Sequence, residues 1–302
     1  MDLPGAISAL SDSRDLSGEE MQEVLSIVMQ GEATPAQIGA FLTALHIKGE
    51  SVVELVAAAR VMRQFAAVVD VKATKVVDSV GTGGDGAGLF NVSTAAALVA
   101  AAQGSVLAKH GNRAATGNSG SADMLEAAGV NIALTPAQVT ETIDTVGIGF
   151  MFAQAFHPSM RHAGPVRREI GIRTVFNILG PLTNPAGAQS MLVGVAFPEL
   201  SEQMASVLNL LDTHHSIIVH GDGGLDEITL SGDTSVWEVA GGKVSNWTIS
   251  VTDTGLPVTE IEAVRGGDKA ANAKTMRKLL DGAGGPVRDY VLLNSAGVLL
   301  VG

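Results

Sequence analysis

A glycine-rich segment that directly follows an apolar stretch constrains the fold of this chain more than any other feature of its sequence. Residues 75–80 predict a buried β-strand, and the chain then continues into Gly81-Thr82-Gly83-Gly84-Asp85-Gly86. Asn91 opens a predicted helix that runs to about Gln103. A strand, a glycine turn and a helix in this order are typical of an open α/β sheet, in which the turn lies at the carboxyl edge.

The same alternation predicts most of the remaining chain, whereas the first 70 residues carry a different pattern. Strands are predicted at residues 105–109, 130–132, 191–195 and 216–219, with edge strands near Ile228 and Val236; helices are predicted at 121–129, 200–211 and 287–300. Before residue 70, the capping boxes Ser17/Glu20, Thr34/Gln37 and Ser51/Glu54 predict three short helices.

These patterns predict an α/β fold class with two domains. A small all-helical N-terminal domain covers residues 1–70 and is joined by helices within about residues 160–186. A larger α/β domain covers residues 71–302 and has a mostly parallel central sheet flanked by helices. A basic, helical stretch at residues 165–172 interrupts the α/β pattern.

Charge and composition exclude several classes of function. The formal net charge of −12 gives the chain no overall field that would attract nucleic acid or an anionic membrane. Cysteine is absent, which excludes disulfides, thiolate metal sites and cysteine nucleophiles. No signal peptide is recognisable, and the apolar run 95–102 is far shorter than the roughly 18 to 20 residues of a membrane span. We therefore expect a soluble, cytoplasmic protein that binds small molecules.

The segment from Gly81 to Thr94 predicts an anion site. Glycines let backbone amides approach an anion, and the N-terminus of the following helix adds unpaired N–H donors. The hydroxyls of Ser93 and Thr94 suit a phosphate oxygen or a hydrated cation. Asp85 suits such a place only if a ribose hydroxyl or Mg²⁺ offsets its charge. The alternative is a tight strand-to-helix turn without a ligand.

A second polar loop follows the next predicted strand and falls at the same edge of the sheet. It contains Lys109-His110-Gly111-Asn112-Arg113 and, further on, a glycine-serine segment that ends at Ser121. Lys109 and Arg113 are suitable phosphate partners. The alternative is a solvated loop with incidental bases, but the whole chain has only 19 Lys and Arg residues.

Six motifs in fixed order make the chain resemble the anthranilate phosphoribosyltransferases. They are VGTGGDG, FNVST, KHGNRAA, SGSAD, PVRREIGIRTVFNILGPLTNP and GLDE, and they extend from about Asp78 to Glu227. Pyrimidine nucleoside phosphorylases share the architecture and a similar phosphate loop, but NILGPLTNP and GLDE favour the transferase.

The resemblance implies roles for the matching residues. Phosphoribosyl pyrophosphate would bind to Gly81, Gly84, Asp85, Leu89, Asn91, Val92, Ser93, Thr94, Lys109 and Ser121. Anthranilate would bind to Gly81, His110, Asn112, His157 and Arg167. Two Mg²⁺ ions per subunit would bind to Ser93 and to Asp226 with Glu227. A homodimer formed through the helical domain is also implied.

The chemistry of these residue types agrees with the implied roles. Arg167 can form a bidentate pair with a carboxylate, whereas Arg168 should point about 100° away on a helix. Asp226 and Glu227 offer hard oxygen ligands for Mg²⁺, although such a pair by itself is more often a solvated turn. Lys109 would stabilise the leaving pyrophosphate. His110 and His157 are interpreted as groups that shape the site, with a catalytic role for His110 left open.

The chain departs from the family pattern at two positions and at its end. Leu89 and Asn118 stand where family members commonly carry a hydroxyl residue and a basic residue, respectively. The apolar helix that ends the chain at residues 291–301 stops where the family usually continues, so we expect a truncated C-terminus.

The resemblance implies attack of the anthranilate amine on C1 of the donor, without a covalent intermediate. Two rivals remain. One is a nucleoside phosphorylase of the same architecture, which would cleave pyrimidine nucleosides with phosphate. The other is a catalytically silent nucleic-acid or ligand-binding paralogue, against which the net charge of −12 and the Asp226-Glu227 pair count.

Overall fold

The computed structural model describes residues 1–114 and 119–302 of the chain, which form two compact units. The helical unit comprises Met1–Val68 and Gln154–Pro185, and the α/β unit comprises Val69–Ala153 and Ala186–Gly302. The helices are α1 Leu3–Ser11, α2 Gly18–Gln30, α3 Pro35–Lys48, α4 Val52–Gln64, α5 Val92–Ala102, α6 Ser121–Ala127, α7 Pro136–Val146, α8 Ala153–Phe156, α9 Met160–Ile170, α10 Val175–Leu179, α11 Pro198–Leu210, α12 Lys269–Leu280 and α13 Pro286–Val301. The strands are β1 Val77–Gly81, β2 Leu107–Gly111, β3 Ile148–Phe152, β4 Ser190–Gly194, β5 His215–Gly221, β6 Thr234–Ala240 and β7 Lys243–Ile249. Short 3-10 helices cover Gly180–Leu182, Val251–Thr254 and Ile261–Val264.

Helices α2, α3 and α4 of the helical unit begin at the predicted capping boxes. Ser17, Thr34 and Ser51 each accept a hydrogen bond from the backbone three residues on, and the side chain at that position bonds back. This confirms the prediction. The sequence analysis missed α1, which has no capping box: Asp2 accepts a hydrogen bond from the Gly5 amide at 2.9 Å. Helix α9 packs on α2 and α3.

A buried ionic cluster joins α3 to α4 within the helical unit. The ammonium group of Lys48 lies 2.9 Å from Glu54 and 2.5 Å from Asp15. Glu54 is fully buried and also accepts hydrogen bonds from the Leu16 and Ser51 amides at 2.9 and 2.7 Å. Each buried oxygen of Glu54 therefore has a donor, which offsets the cost of removing the carboxylate from water.

The α/β unit is built on a seven-stranded sheet in the order β3-β2-β1-β4-β5-β6-β7. Strands β1 to β5 are parallel, and β6 and β7 form an antiparallel edge. This sheet, together with the helical N-terminal region, confirms the predicted fold class. The chain leaves β1 toward β2 and β3 and returns on the other side as β4, so the strand order reverses between β1 and β4. Ligands of open α/β sheets bind outside the carboxyl ends of the strands at such a switch point.

Helices α5 and α13 pack against each other and against the sheet. Small alanines on α5 let the helix approach the strands closely, and branched residues of the strands fill the interface. The buried side chains of this core are Val77, Ala96, Ala97, Ala100, Leu107, Leu192, Ile217, Val219, Ile228, Val236, Val298 and Val301. The packing fixes the N-terminus of α5 at the switch point.

Two predicted strands are wrong. Residues 130–132 connect α6 to α7, and the third parallel strand is β3. Thr135 and Gln138 form a further capping box at the start of α7. Strand β3 begins only after Gly147, which ends that helix. Ile228 also lies outside any strand. Its amide and its carbonyl bond to the Asn294 side chain on α13, each at 2.9 Å, so an amide side chain replaces a strand partner.

Candidate active site at the carboxyl edge of the sheet

The switch point is closed by Asp226. Gly81 and Gly194 end the paired strands β1 and β4 and face each other in the register. A Cβ atom on Gly81 would collide with the Asp226 carboxylate, and one on Gly194 would collide with the Asp226 backbone. Glycine is required at both strand ends because only a bare backbone leaves room for this acidic segment.

One amide of the glycine-rich loop donates to the same carboxylate. Gly83 and Gly84 have φ values of 67° and 85°, a conformation that side chains disfavour. The Gly83 amide donates to Asp226 Oδ2 at 2.7 Å, and the Ala87 amide donates to Asp85 Oδ1 at 3.2 Å. Backbone N–H donors of the loop therefore lie close to two carboxyl groups, those of Asp85 and Asp226.

The N-terminus of α5 lies beside this loop, as the sequence predicted. The Ser93 amide donates to Glu227 Oε1 at 3.0 Å, so a carboxylate caps the helix in place of the expected phosphate. Thr94 is 2% exposed, and its hydroxyl has no hydrogen-bond partner among the described residues. The helix end therefore attracts negative charge, as helix N-termini do.

Three carboxyl groups of the site resist ionisation. Burial, together with the neighbouring Asp85, raises the pKa of Asp226 to about 6. Burial and the adjacent Asp226 raise the pKa of Glu227 well above its ordinary value, and burial raises the pKa of Asp85. A cation at this place would relieve both the desolvation and the mutual repulsion.

The carboxyl groups fit a divalent cation only in company with ligand oxygens. Among the residues that the structure describes, no group of three or more His, Asp or Glu side chains is arranged to hold a metal ion alone. Mg²⁺ commonly binds through one or two carboxylates plus substrate phosphates and water. The donor set of Asp226 and Glu227 agrees with that mode.

Lys109 lies in the middle of β2, with its ammonium group close to Ser93. Its ammonium group donates to the Ser79 carbonyl and lies 3.5 Å from the Ser93 hydroxyl. Lys109 is 3% exposed, and burial lowers its pKa despite the attraction of Asp78 and Glu227. Gly83, Asp226, Glu227, Ser93 and Lys109 thus form one connected set, which brings together both loops predicted from the sequence.

The loop after β2 also contains Arg113, a predicted phosphate partner. In this structure Arg113 pairs with Asp123 and Glu126 on α6, at 2.9 Å each. Hydrogen bonds to Glu126 and Asp123 raise its pKa. Its guanidinium group also lies 5.4 Å from the centre of the Phe152 ring. Two acidic residues one helical turn apart therefore outcompete solvent for this arginine.

Asn112 and Ser121 lie next to each other in the same loop. Asn112 is exposed, its carbonyl accepts from the Ser121 hydroxyl at 3.3 Å, and Ser121 begins α6. His110 is buried, and its amide donates to Asp78 at 3.1 Å. Asn118, whose departure from the family pattern was noted above, lies outside the described residues.

Leu89 and Val92 pack into apolar surroundings. Both side chains contribute to the cluster around Phe90 and Tyr290, and the Val92 amide is bonded to the Phe90 carbonyl at 2.6 Å. Any contact of these two residues with a phosphoribosyl ligand would therefore come from the position of their backbone. The Leu89 side chain anchors the loop in this apolar cluster.

In the helical unit, α9 carries the predicted arginine. Arg167 is half-buried, donates to Asn177 Oδ1 at 3.1 Å and lies 5.3 Å from the centre of the Phe176 ring; burial lowers its pKa. Arg168 is exposed, as the helical geometry predicted. His157 is 6% exposed, and burial lowers its pKa to about 4, so it is neutral near pH 7.

The sequence analysis missed Gly194 and Asn272, although both contact predicted site residues. Gly194 ends β4 opposite Gly81, and the side chain of Asn272 on α12 bonds to Asn91 at 3.0 Å. A glycine at the end of the predicted strand 191–195 could have pointed to the first. The second lies 181 residues from its partner, and no local pattern announces it.

The fold and this edge define a class of transferase. Residues 73–302 match the family described as "Glycosyl transferase family, a/b domain", and residues 4–66 match "Glycosyl transferase family, helical bundle domain". Within that class, the chain belongs to the anthranilate phosphoribosyltransferase family. A relative of that name from Chloroflexus aggregans is 53% identical over 304 residues, which cover 100% of this chain and 89% of the relative.

Solved structures agree with this assignment. The anthranilate phosphoribosyltransferase of Thermus thermophilus is similar with a TM-score of 0.93 and 44% identity, covering 98% of this chain and 88% of that one. The Saccharomyces cerevisiae enzyme, in complex with PRPP and Mg, gives a TM-score of 0.89 and 29% identity over 97% of this chain and 86% of that one. None of the described helices combines the length and the apolar character needed to cross a bilayer.

Proposed function

We propose that this chain transfers the phosphoribosyl group of phosphoribosyl pyrophosphate to the amine of anthranilate. The products are N-(5-phosphoribosyl)anthranilate and pyrophosphate, a step of tryptophan biosynthesis. One observation carries the proposal: backbone amides, a helix N-terminus, Lys109 and three carboxyl groups of raised pKa converge at the switch point of the sheet. This combination suits an anionic donor that arrives together with a cation.

In this proposal, phosphoribosyl pyrophosphate binds to the α/β unit. Gly81, Gly84, Asp85, Asn91, Ser93, Thr94, Lys109 and Ser121 bind it through side chains or amides, with Leu89 and Val92 placing the loop backbone. The Thr94 hydroxyl has no partner among the described residues, and in the complex it bonds to an oxygen of phosphoribosyl pyrophosphate. Lys109 keeps its charge when a diphosphate arrives because the new negative charge offsets the burial that lowers its pKa.

Mg²⁺ is the proposed cofactor, with two ions per subunit. Ser93 would hold one ion, and Asp226 and Glu227 would hold the other. Bound with pyrophosphate, Mg²⁺ supplies neutralisation of the negative charge that grows on the leaving group. The yeast relative that contains PRPP and Mg supports the use of this metal.

The proposed reaction is a displacement at C1 of the ribose. The anthranilate nitrogen forms a bond to C1 through its lone pair, the bond from C1 to the pyrophosphate oxygen breaks, and the nitrogen then loses one proton. An aromatic amine needs no strong base, which agrees with a neutral His157. Orientation of the two substrates can contribute about 7 to 11 kcal/mol to lowering the barrier.

The acceptor contacts are proposed separately for each unit. In the helical unit, Arg167 binds the anthranilate carboxylate and His157 contributes an uncharged wall. In the α/β unit, Gly81, His110 and Asn112 are the proposed anthranilate contacts. The yeast relative solved in complex with 4-fluoroanthranilate supports an anthranilate site.

A fluorescence assay tests the reaction. Protein, Mg²⁺, phosphoribosyl pyrophosphate and anthranilate are mixed, and the loss of anthranilate fluorescence is followed with pyrophosphate release. Turnover that depends on both substrates is expected, and Lys109→Gln should abolish most of it. A parallel reaction with a pyrimidine nucleoside and phosphate tests the phosphorylase rival. Cleavage there, with no loss of anthranilate, would refute the proposal.

We also propose a cytoplasmic homodimer that forms through the helical unit. Ile47 on α3 is 78% exposed and Val53 on α4 is 53% exposed, which places two large apolar side chains on the surface of that unit. Light scattering coupled to gel filtration should give twice the chain mass. Ile47→Glu combined with Val53→Glu should shift the mass toward the monomer, and an unchanged mass would contradict this interface.

A further inference from the structure

A chain of side-chain amides joins three separate segments of the α/β unit. The Gly267 amide donates to Asn272 Oδ1 at 2.8 Å, and Asn272 Nδ2 donates to Asn91 Oδ1 at 3.0 Å. Asn91 Nδ2 donates in turn to the Ser119 carbonyl at 3.0 Å. Asn272 is 3% exposed, whereas Gly267, Asn91 and Ser119 are half-buried.

The polarity of this chain is fixed by its two ends. A backbone N–H can only donate, so Gly267 must meet the oxygen of Asn272. The NH₂ group of Asn272 then faces Asn91 and donates, so Asn91 must accept through its side-chain oxygen. The NH₂ group of Asn91 therefore faces the Ser119 carbonyl, which can only accept. Neither amide can be turned over without setting two like groups against each other.

Asn91 does not cap α5, although it stands at the N-cap position of that helix. Asparagine before the first residue of a helix normally caps it with the side-chain oxygen. Here the side chain makes no capping hydrogen bond, and Glu227 meets the Ser93 amide instead. Among the described residues, the Ser119 carbonyl takes one of the two hydrogens of the Asn91 NH₂ group, which leaves the other for an oxygen of a ligand.

The segment before α12 also braces the glycine-rich loop directly. The Gly266 amide donates to the Gly88 carbonyl at 2.8 Å, and the Phe90 amide donates to the Val264 carbonyl at 3.0 Å. The residues around 264–272 therefore hold both the backbone of the loop and the side chain at its end. The amide chain extends this support to Ser119, next to α6.

We propose that Asn272 is a positioning residue for the phosphoribosyl donor, because its side chain locks the Asn91 amide with the NH₂ group toward the donor loops. The proposal rests on the proposed function, in which Asn91 binds the donor. Asn272 itself touches no substrate. Its role is to ensure that the donor meets an N–H group at Asn91 rather than a carbonyl oxygen.

Replacing Asn272 by Asp and by Ala separates polarity from packing. Asn272→Asp keeps the shape and still accepts from Gly267, but it offers Asn91 an oxygen and so turns that amide over. The KM for phosphoribosyl pyrophosphate should rise about 10- to 100-fold, the effect of losing a hydrogen bond to a charged group. The KM for anthranilate should stay within about threefold, a range that corresponds to less than 1 kcal/mol.

Asn272→Ala removes the lock without reversing it, so a smaller rise in the donor KM is expected. If Asn272 served packing alone, the donor KM would rise more for Ala than for Asp, because Ala leaves a cavity and Asp does not. Assays at pH 8.5 favour an ionised carboxyl at position 272. Asn246→Asp, on the exposed strand β7, is the matched control for charge and should leave both KM values unchanged.

A double-mutant cycle tests whether Asn272 acts through Asn91. Asn91→Ala should raise the donor KM, and adding Asn272→Asp to it should raise the KM little further. A full additional increase would overturn the proposal, as would equal donor KM values for Asn272→Asp and Asn246→Asp. If Asn272→Asp does not fold, as judged by circular dichroism, the same cycle with Asn272→Ala decides. An inactive wild type would instead contradict the proposed function.

Discussion

Two buried clusters of charge in this protein contain a lysine beside acidic groups, yet they differ in their electrostatic balance. In the helical unit, burial opposes the charge of Lys48, but hydrogen bonds to Asp15 and Glu54 outweigh it and raise the pKa of the lysine. In the α/β unit, burial lowers the pKa of Lys109 and raises that of Asp226 and Glu227.

The difference indicates that the cluster around Lys48 stabilises the fold, whereas the cluster at the switch point is suited to binding a ligand. In the helical cluster, Lys48 and two backbone amides surround the fully buried Glu54. At the switch point, Lys109 offsets the raised pKa of Glu227 only in part, and backbone amides do no more for Asp226 and Asp85, so all three carboxyl groups keep raised pKa values. Uncompensated buried charge destabilises a folded chain, and strongly shifted pKa values are typical of functional sites.

The largest expected effect comes from neutralising the switch point. Asp226→Asn combined with Glu227→Gln should lower kcat roughly 100- to 1000-fold, because stabilisation of the leaving group is lost. The Mg²⁺ concentration needed for half-maximal rate should rise as well. Thermal unfolding of the ligand-free protein should not occur at a lower temperature, since the change removes repulsion. The pair Glu199→Gln and Glu202→Gln on the exposed face of α11 is the control.

An unchanged Mg²⁺ titration in the double variant would remove the metal assignment. A large drop in its melting temperature would show that the switch-point carboxyl groups stabilise the fold, and the contrast between the two clusters would be lost.

The second effect is on stability and concerns the helical cluster. Lys48→Met leaves Glu54 buried without its counter-charge, which should cost about 3 to 5 kcal/mol in the free energy of unfolding. Urea unfolding measures the loss. The KM for phosphoribosyl pyrophosphate, measured well below the melting temperature, should not change. A stability equal to that of the wild type would mean that the cluster contributes little.

The third effect concerns Arg167 in the helical unit, which has no carboxylate partner among the described residues. Burial lowers the pKa of Arg167, and its described partners are the Asn177 oxygen and the Phe176 ring. Arg167→Ala should raise the anthranilate KM about 10- to 100-fold, as expected for a lost charged hydrogen bond. The donor KM should change far less. Arg168→Ala, one residue on and exposed, is the control, and equal effects on both substrates would contradict the assignment.

The smallest effect is a pH dependence of stability. The pKa of Asp226 is about 6 in the folded chain against an ordinary value of 3.8, so between these values the folded state binds the proton more tightly than the unfolded state. The contribution of this group to stability therefore falls as pH rises from about 4 to 6. Asp226→Asn should remove that loss, so its melting temperature should gain on the wild type across this window. Parallel curves would show that Asp226 titrates normally.

Local pattern in the sequence was sufficient for the fold class and for most elements. Capping boxes located α2, α3 and α4, because a cap is a contact between residues three apart. The glycine-rich segment located the end of β1 and the start of α5. The same reasoning failed at residues 130–132, where a short apolar run suggested a strand although a capping box at Thr135 announced a helix first.

The candidate site was predictable to the extent that its residues stand in loops after strands. The sequence brought the loop of Gly83 and the loop of Lys109 to one edge, because parallel strands end on the same side of a sheet. It did not reveal that Arg113 is held by Asp123 and Glu126, nor that Glu227 caps α5. These contacts depend on which side chains meet after packing.

By itself, the sequence determined the fold class, most of the elements and the chemical inventory of the site, since these are written in short-range spacing. Only the tertiary structure decided that Gly194 makes room for Asp226, that the site carboxyl groups resist ionisation, and that Asn272 fixes the amide of Asn91. Burial and the meeting of residues far apart in the chain create those properties. Neither exists until the sheet, α5 and α12 have packed together.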